Sequence, residues 1–309
     1  QGSFVLQSPK KGRGAAQLLQ LKGKNHYEAQ QARYTSCALG REDWYLHANN
    51  LDLDYNRNVG VARGASLRFF GVPVAHVPWM DFSLNGQRKS GLLAPKFAYS
   101  SRSGYDLSMP YYWNVAPNYD ATFTPRYLSQ RGVQIKMEGR YLWRNAQGML
   151  RGEFLPDDAL TGKNRQAWSW QHTQRLSEDW SAGVDVAGVS DNNYFTDLSN
   201  AADLTDDTVN LPREAWLRYR RQNAYAVLRW SEYQTLQNAE ESLDEPYARK
   251  PQLQWGLDPQ RLGPAIWQVA GDWTRFDHKS KVTGSRFHVN PSVRLRIFRP
   301  YGYVIPKLG

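Results

Sequence analysis

The chain has 309 residues, of which 41% are hydrophobic and 13% aromatic, and its 39 Lys and Arg against 29 Asp and Glu give a net charge of +10. No stretch approaches about eighteen consecutive apolar residues, which excludes a transmembrane helix. Transmembrane strands are compatible with the mean hydropathy of -0.68, because such a strand exposes only every second residue to lipid. The basic balance suits a polyanionic partner or a dispersed solvated surface. Because the cations are scattered, we expect no nucleic-acid partner.

The first part of the chain, residues 1–86, predicts a small β-unit. Apolar and polar residues alternate around Trp44, with Leu46 and Ala48 in the same phase, and the phase shifts further along. The polar segment 81–91 is typical of a link into a second domain. Strands are predicted at about 27–36, 43–54, 59–70 and 72–78.

Beyond this link, alternation with period 2 continues to the end of the chain. In 134–144, for example, Ile135, Met137 and Tyr141 alternate with polar residues. Runs of this kind have about the length that a tilted strand needs to cross a bilayer. Strands are predicted at about 92–100, 105–114, 119–127, 134–144, 148–155, 165–175, 180–189, 213–220, 223–235, 248–258, 264–277 and 287–297.

Connection lengths alternate along much of this region. Short turns on one side and long loops on the other are typical of outer-membrane barrels, although the connections near 102–104 and 129–132 are short on the long side. Short turns are predicted at 115–118, 145–147, 176–179, 221–222 and 299–302. Longer loops are predicted at 156–164, 190–211, 236–247 and 278–283, of which the Asn/Asp/Thr-rich 190–211 is either an external loop or a disordered insertion.

The pattern leaves several classes of protein open. A soluble carbohydrate-binding β-sandwich and a passive porin both use alternating strands, with opposite faces toward water. The sequence contains no Gly-x-Ser-x-Gly, Walker or His-Glu-x-x-His motif and no His spacing that suits a metal. We therefore expect no enzyme, cofactor or metal, although a barrel hydrolase with Ser and His on neighbouring strands stays open.

An idiosyncratic block of residues occupies 89–142. It runs Lys89-Ser90-Gly91-Leu92-Leu93-Ala94-Pro95, then Pro110-Tyr111-Tyr112-Trp113-Asn114-Val115-Ala116-Pro117-Asn118, Asp120-Ala121-Thr122, Arg131-Gly132 and Arg140-Tyr141-Leu142. With Tyr34-Thr35-Ser36-Cys37 and Gly71-Val72-Pro73-Val74 upstream, this block resembles the outer-membrane lipopolysaccharide-assembly family LptD, also called OstA or Imp. Ser83 departs from the family pattern, which usually has proline there.

The resemblance implies an all-β fold in two domains. Residues 1–86 would be the C-terminal portion of a periplasmic OstA-like β-jellyroll, and residues 87–309 the N-terminal half, about twelve strands, of a large antiparallel transmembrane β-barrel. Family members are much longer, so the chain is expected to be a fragment.

The resemblance also implies a function. The family transports lipopolysaccharide and inserts it into the outer leaflet of the Gram-negative outer membrane, through a jellyroll slide and a lateral barrel gate. The implied partners are lipopolysaccharide, outer-membrane lipid, the LptE lipoprotein plug and the periplasmic LptA bridge. The N-terminal part would lie in the periplasm.

Two prolines are the candidate gate. Proline lacks the N–H that a strand ladder needs, and Pro95 and Pro110 lie in the first two predicted barrel strands. From the residues alone, the two prolines could be tolerated at a strand edge or rim, or they could weaken a seam in the sheet. The resemblance implies the second interpretation, at the seam where the first barrel strand meets the last. Pro125 and Pro291 also lie in predicted strands, so proline by itself is a weak mark.

Cys37 is the one cysteine of the sequence. The count alone suits a buried free thiol or a partner outside this chain. The resemblance implies a disulfide between Cys37 and a cysteine in the C-terminal tail of the barrel.

Cations alternate on the polar side of the predicted barrel strands. Arg126, Lys136 and Arg140 are candidate lumen contacts for anionic sugars or phosphates of the substrate. Each could equally pair with a carboxylate such as Asp120 or Glu153 on a neighbouring strand.

Overall fold

A computed structural model defines the fold, which is almost entirely β-strand. One five-residue helix, α1 (Tyr194–Leu198), is the exception among the described residues. None of these residues lies in a helix with the length and hydropathy that crossing a bilayer would require. The structure describes residues 4–7, 13–37, 43–93, 95–198, 209–237 and 244–308.

Seven strands in the first part of the chain form one antiparallel sheet. They are β1 (Phe4–Gln7), β2 (Arg13–Ala16), β3 (Leu18–Gly23), β4 (His26–Thr35), β5 (Trp44–Asp54), β6 (Val59–Phe69) and β7 (Val72–Ser83). Their order is β1-β2-β4-β5-β6-β7, and β3 also pairs with β4. The four predicted strands correspond to β4–β7, whereas β1–β3 were missed because they are short and show little alternation.

One face of this first sheet carries its small apolar core. Ala48 and Leu51 belong to the same cluster, although residues three apart normally lie on opposite faces of a strand. The ladder between β5 and β6 lacks the pair between Asn49 and Gly64, although its register is the same on both sides, and Gly64 has a φ of 59°, which favours glycine. This interruption lies between Ala48 and Leu51, where the sequence predicts a shift in phase. The cluster contains Ala48, Ala62 and Ala65, with Leu51, Met80 and Phe82 packed against them.

The remaining strands follow in chain order. They are β8 (Gly91–Leu92), β9 (Lys96–Ser100), β10 (Gly104–Ser108), β11 (Tyr111–Ala116), β12 (Tyr119–Leu128), β13 (Gly132–Leu142), β14 (Ala146–Asp158), β15 (Lys163–Arg175), β16 (Trp180–Val189), β17 (Asn210–Arg221), β18 (Ala224–Thr235), β19 (Ala248–Leu262), β20 (Ala265–Asp277), β21 (Gly284–Leu295), β22 (Ile297–Arg299), β23 (Gly302–Val304) and β24 (Lys307–Leu308).

Most of these strands form a second antiparallel sheet, a meander in which each strand from β12 to β21 pairs with the next. The order is β24-β21-β20-β19-β18-β17-β16-β15-β14-β13-β12-β10-β9, β11 pairs with both β12 and β8, and β22 and β23 form a separate hairpin. Within the described residues no pairing closes this sheet. The predicted all-β class, a jellyroll portion followed by an antiparallel barrel portion, is confirmed.

The chain divides into two compact units. The first comprises Gln1–Phe97, Leu107–Pro117 and Ala121–Thr124, and the second comprises Ala98–Asp106, Asn118–Asp120 and Pro125–Gly309. The first sheet lies in the first unit, and the meander from β13 to β21 lies in the second. The domain boundary between residues 86 and 87 stays a prediction.

The predicted connections are confirmed in part. The long loop predicted at 156–164 is wrong. β14 ends at Asp158 and β15 begins at Lys163, so only a tight turn connects the two strands. The connection after β16 contains α1, and its residues 199–208 lie outside the described residues, as do 238–243 of the loop after β18.

Gly271 provides a stability test of the strand register. A Cβ at Gly271 would overlap the indole of Trp255 on the paired strand, whereas one at Gly139 would meet nothing within 4 Å. We expect Gly271→Ala to lower the free energy of unfolding by about 1–3 kcal/mol through overpacking. Gly139→Ala should be neutral or stabilising by about 0.5–1 kcal/mol. Denaturant titration of both variants measures the difference, and equal values would contradict the register.

Candidate functional site

Exposure in the second sheet is reversed relative to a soluble sheet. In β13, Val133, Ile135 and Met137 are exposed, whereas Gln134 is fully buried and Lys136 is partly buried. Hydrophobic burial would put the apolar set inside if the outside were water. The polar residues are instead the ones that the protein shields.

The strand registers extend this pattern across the meander, because directly paired residues lie on the same face. The apolar face includes Leu150, Phe154, Trp168, Trp170, Trp180, Leu228, Trp230, Leu253, Trp255, Trp267, Trp273, Phe287 and Val289. The polar face includes Gln134, Lys136, Glu138, Arg140, Arg151, Glu153, Gln171, Asp185, Glu214, Arg218, Arg229, Gln252, Asp272 and Ser292.

Lys136 and Arg140 lie on this polar face. All three candidate lumen cations contact a carboxylate. Lys136 lies 3.2 Å from Glu153. Arg140 donates to both carboxylate oxygens of Asp120, at 2.8 and 3.0 Å. The Arg140 side chain is still 51% exposed, so pairing leaves much of its guanidinium open to solvent.

Arg126 differs from the other two because it is 2% exposed. Its guanidinium donates to both carboxylate oxygens of Asp106, to the Gln134 side-chain oxygen at 2.8 Å and to the Leu198 carbonyl at 2.7 Å. A buried cation with this set of partners is satisfied within the protein. In this structure Arg126 therefore holds neighbouring elements together rather than facing open space.

The segment around α1 packs on the strands near this arginine. Tyr194 and Leu198 are buried against Leu128, Leu155 and Ala167. The Tyr194 hydroxyl donates to Glu153 at 2.9 Å, and burial together with the nearby carboxylate raises the pKa of Tyr194 above its usual value. The phenol thus stays protonated, and its O–H can donate to Glu153.

Arg165 is the residue that sequence reasoning missed. It is 2% exposed and binds Asp158, Asp191 and Asp197. Period-2 alternation assigns Arg165 to a strand face, but nothing in the local sequence shows that a loop after β16 supplies two of its carboxylates.

The two candidate gate prolines lie where the predicted strands break. The strand predicted at 92–100 is divided into β8 and β9 just before Pro95, and the strand predicted at 105–114 is divided into β10 and β11 at Pro110. Proline cannot donate to a ladder, and both prolines lie in the gaps between these strands, while pairing resumes directly after Pro110 at Tyr111. The Pro110 carbonyl still accepts from the Leu93 N–H at 2.8 Å.

Side chains from the preceding link support β11 in this region. The Arg88 side chain donates to the Tyr112 hydroxyl at 2.9 Å and to the Pro117 carbonyl at 3.2 Å. The Asn114 N–H donates to the Ser90 hydroxyl at 2.9 Å. These side-chain hydrogen bonds supplement the short ladder between β8 and β11.

Cys37 is a free, half-buried thiol that follows β4. Its N–H donates to the Thr35 hydroxyl, and its Sγ lies 3.8 Å from the Trp44 carbonyl. Hydrogen bonding with Thr35, and then with the backbone near Trp44, lowers the pKa of Cys37 below its ordinary value. The thiolate that disulfide exchange requires is therefore favoured.

The first sheet has one apolar and one basic face near Cys37. Leu46, Leu67 and Ala75 are aligned on the apolar face, and Leu46 is exposed. Leu67 and Ala75 are partly buried beside it. On the opposite face, burial and the charges of Arg68 and Arg33 lower the pKa of His47 below its usual value.

An antiparallel meander with an apolar outer face and paired charges on the other face is the pattern of transmembrane β-strands. The second sheet thereby defines a member of the membrane β-barrel class. Among the residues that the structure describes, no group of three or more His, Cys, Asp and Glu side chains could hold a metal.

Comparisons with known proteins identify the family. The family model described as LPS transport system D matches residues 163–309, and the one described as LptD protein matches residues 61–231. The LPS-assembly protein LptD of Chromobacterium violaceum is 42% identical over 301 residues, which are 96% of this chain and 38% of that protein. The LPS-assembly protein LptD of Thiobacillus denitrificans is 41% identical over 300 residues, which are 96% of this chain and 41% of that protein.

The chain belongs to the LptD family, and it spans about two fifths of the length of these relatives.

A charge placed on each face tests which one contacts lipid. Leu150 lies near the middle of β14 on the apolar face, and Gln171 lies on the polar face of β15. We expect Leu150→Arg to lower the free energy of unfolding in lipid vesicles by about 2–4 kcal/mol. Gln171→Arg, the matched control, should change it by less than about 0.5 kcal/mol. An equal loss in both variants would sink the assignment of the lipid face.

The lowered pKa of Cys37 predicts a pH dependence. After reduction, its alkylation by iodoacetamide should reach half of its maximal rate at a lower pH than an ordinary thiol, because the thiolate forms earlier. Thr35→Val should move that midpoint to higher pH, and the maximal rate at high pH should be retained. Thr173→Val serves as control. A midpoint that does not respond to Thr35→Val would exclude the hydroxyl as the cause.

Proposed function

We propose that this chain is part of a protein that moves lipopolysaccharide to the outer leaflet of a Gram-negative outer membrane. The reversed faces of the second sheet carry the proposal, because lipid-facing strands with a polar inner wall suit a molecule that has both acyl chains and a charged sugar chain. The relatives' name, LPS-assembly protein, supports the same substrate. Transport by this route involves no chemical step.

The first sheet would carry the acyl chains. Its apolar face has an aligned row of side chains, and among them Leu46 and Tyr34 are exposed. An open apolar face of this kind lowers the free energy of an acyl chain in contact with it, by about 0.8 kcal/mol for each buried CH₂. This is the slide of the proposed mechanism, and it would lie in the periplasm.

The lateral gate would be the seam where the first barrel strand, interrupted near Pro95 and Pro110, meets the last strand of the full-length protein. β8 has two residues and pairs with β11 at Tyr111 and Tyr112, a much shorter ladder than those of the meander. A short first strand with prolines beside it offers few ladder bonds to the last strand, so few bonds would need to break when the seam opens. Acyl chains would leave through this seam into the bilayer.

The polar face would guide the sugar chain. Arg126, Lys136 and Arg140 are proposed to set the charge of this wall, and of the three Arg140 keeps the most exposed guanidinium. A planar guanidinium binds phosphate and carboxylate through two hydrogen bonds. Arg126 would act indirectly, by holding the wall in place.

The proposed partners follow from the same route. They are lipopolysaccharide, outer-membrane lipid, an LptE lipoprotein plug beside the polar face and an LptA bridge that delivers substrate to the first sheet. Cys37 would form a disulfide with a cysteine outside this chain, which its lowered pKa favours kinetically. Such a bond would tie the N-terminal part to the rest of the barrel.

The gate is tested by photocrosslinking in the full-length protein in living cells. A photoreactive residue at Leu93, which is 47% exposed, should give a lipopolysaccharide adduct that disappears when substrate supply from the inner membrane is stopped. A photoreactive residue at Leu228, on the apolar face of β18, serves as control. Pro95→Ala with Pro110→Ala restores two ladder donors and should reduce the Leu93 adduct several-fold, whereas Pro125→Ala should not.

Different outcomes separate the alternatives. An adduct at Leu46 without one at Leu93 would keep lipopolysaccharide binding and remove the gate. No adduct at either position would favour a passive porin.

A further inference from the structure

Three arginines are almost fully buried at one end of the second sheet, where the turns 129–131 and 159–162 lie. Arg126 and Arg165 are each 2% exposed, and Arg131 is 4% exposed. A buried cation is tolerated only with carboxylate and hydrogen-bond partners. The partners of these arginines therefore identify the parts of the chain that the cluster holds together.

Arg165, on β15, holds the segment 191–198 that contains α1. Its guanidinium donates to Asp191 at 2.7 Å and to Asp197 at 2.8 Å, and it lies 5.5 Å from the centre of the Tyr194 ring. Asp158, at the end of β14, is a further acceptor at 3.2 Å. The segment is thus bonded to strands in the middle of the meander.

The same segment also binds the β9–β10 hairpin. The Arg102 side chain donates to the Thr196 carbonyl at 3.1 Å, and the Ser103 hydroxyl donates to the Asp197 carbonyl at 2.8 Å. Arg131 completes this contact, because it donates to the Arg102 carbonyl at 3.0 Å and lies 3.5 Å from the Asp197 carboxylate.

Arg126 adds a second connection. It binds the Asp106 carboxylate of β10 on one side and the Leu198 carbonyl on the other. In the strand order, β10 and β15 are separated by β12, β13 and β14. The segment 191–198 therefore joins strands that no ladder joins directly.

We propose that residues 191–198 are a clamp segment that positions the first barrel hairpin, with Arg165 as its main positioning residue. The clamp segment holds the β9–β10 turn against the meander, so that strand separation during transport starts at the other end of the hairpin strands, where Pro95 and Pro110 interrupt pairing. This inference rests on the proposed gate for its role, but the coupling between segment and hairpin can be measured without transport.

The first test is hydrogen exchange on the full-length protein in lipid nanodiscs. Arg165→Gln should speed amide exchange at least about tenfold in residues 191–198 and also in 98–106, because the clamp no longer holds the hairpin. Arg175→Gln is the matched control, at the other end of β15. Faster exchange in 191–198 with unchanged exchange in 98–106 would overturn the proposal.

A second variant separates a clamp from a general support of the fold. Arg102→Ala with Ser103→Ala removes the hairpin side of the contact and leaves Arg165 and its carboxylates in place. Exchange should then rise in 98–106 and stay unchanged in 191–198. A uniform rise across β12–β15 in both variants would mean that the arginines only support the fold, and this outcome would also overturn the proposal.

The gate itself is read separately, from the lipopolysaccharide adduct at Leu93. Coupled exchange without that adduct would leave the clamp as a structural coupling and would remove its proposed role in transport. An adduct without coupled exchange would keep the gate and remove the clamp.

Discussion

A strand that faces lipid must satisfy every backbone N–H and C=O within its own sheet, because the bilayer core offers no partner. The meander from β12 to β21 meets this constraint with long antiparallel ladders. At Pro95 and Pro110 this constraint is met less completely, because proline has no backbone N–H to donate. Pro125 and Pro291 lie inside unbroken strands, so it is the coincidence of two interruptions beside a two-residue strand, and not proline alone, that distinguishes this part of the sheet.

Charge pairing is the second condition that the sheet satisfies. Shielded cations on the polar side have carboxylates as partners, as Arg126 has in Asp106 and Lys136 has in Glu153. Removing one member of such a buried pair costs more than the pair contributes, because the other charge is left without compensation. The buried charges near the first hairpin therefore act as structural supports, whereas the Arg140 side chain remains 51% exposed.

Much of the fold could be predicted from the sequence, because apolar and polar residues alternate with period 2 along a strand whether its polar or its apolar face is turned outward. The face itself could not be predicted, since a sandwich and a membrane barrel share the pattern. The loop predicted at 156–164 was wrong because Asp157 and Asp158 are typical of turns, yet Asp158 is held at the end of β14 by Arg131 and Arg165. That ionic contact brings together residues distant in sequence, and no local pattern indicates it.

The candidate site was predictable to a similar extent. Pro95, Pro110 and Cys37 are recognisable as single residues with unusual chemistry, and the structure adds strand ends and hydrogen-bond partners to them. For Arg126 the sequence left pairing and substrate contact equally open, and only the three-dimensional position of Asp106 distinguishes them. Local sequence cannot supply such information, because the partner arises from another strand.

Glycine and aromatic residues face each other across several strand pairs of the meander. Gly271 lies under the ring of Trp255, Gly188 under Trp168 and Gly183 under Trp216. Each indole occupies the space that a side chain on the neighbouring strand would need. The two positions of such a pair are therefore not independent during evolution: a larger residue can replace the glycine only in lineages where the tryptophan has already become smaller, so these pairs should covary among relatives.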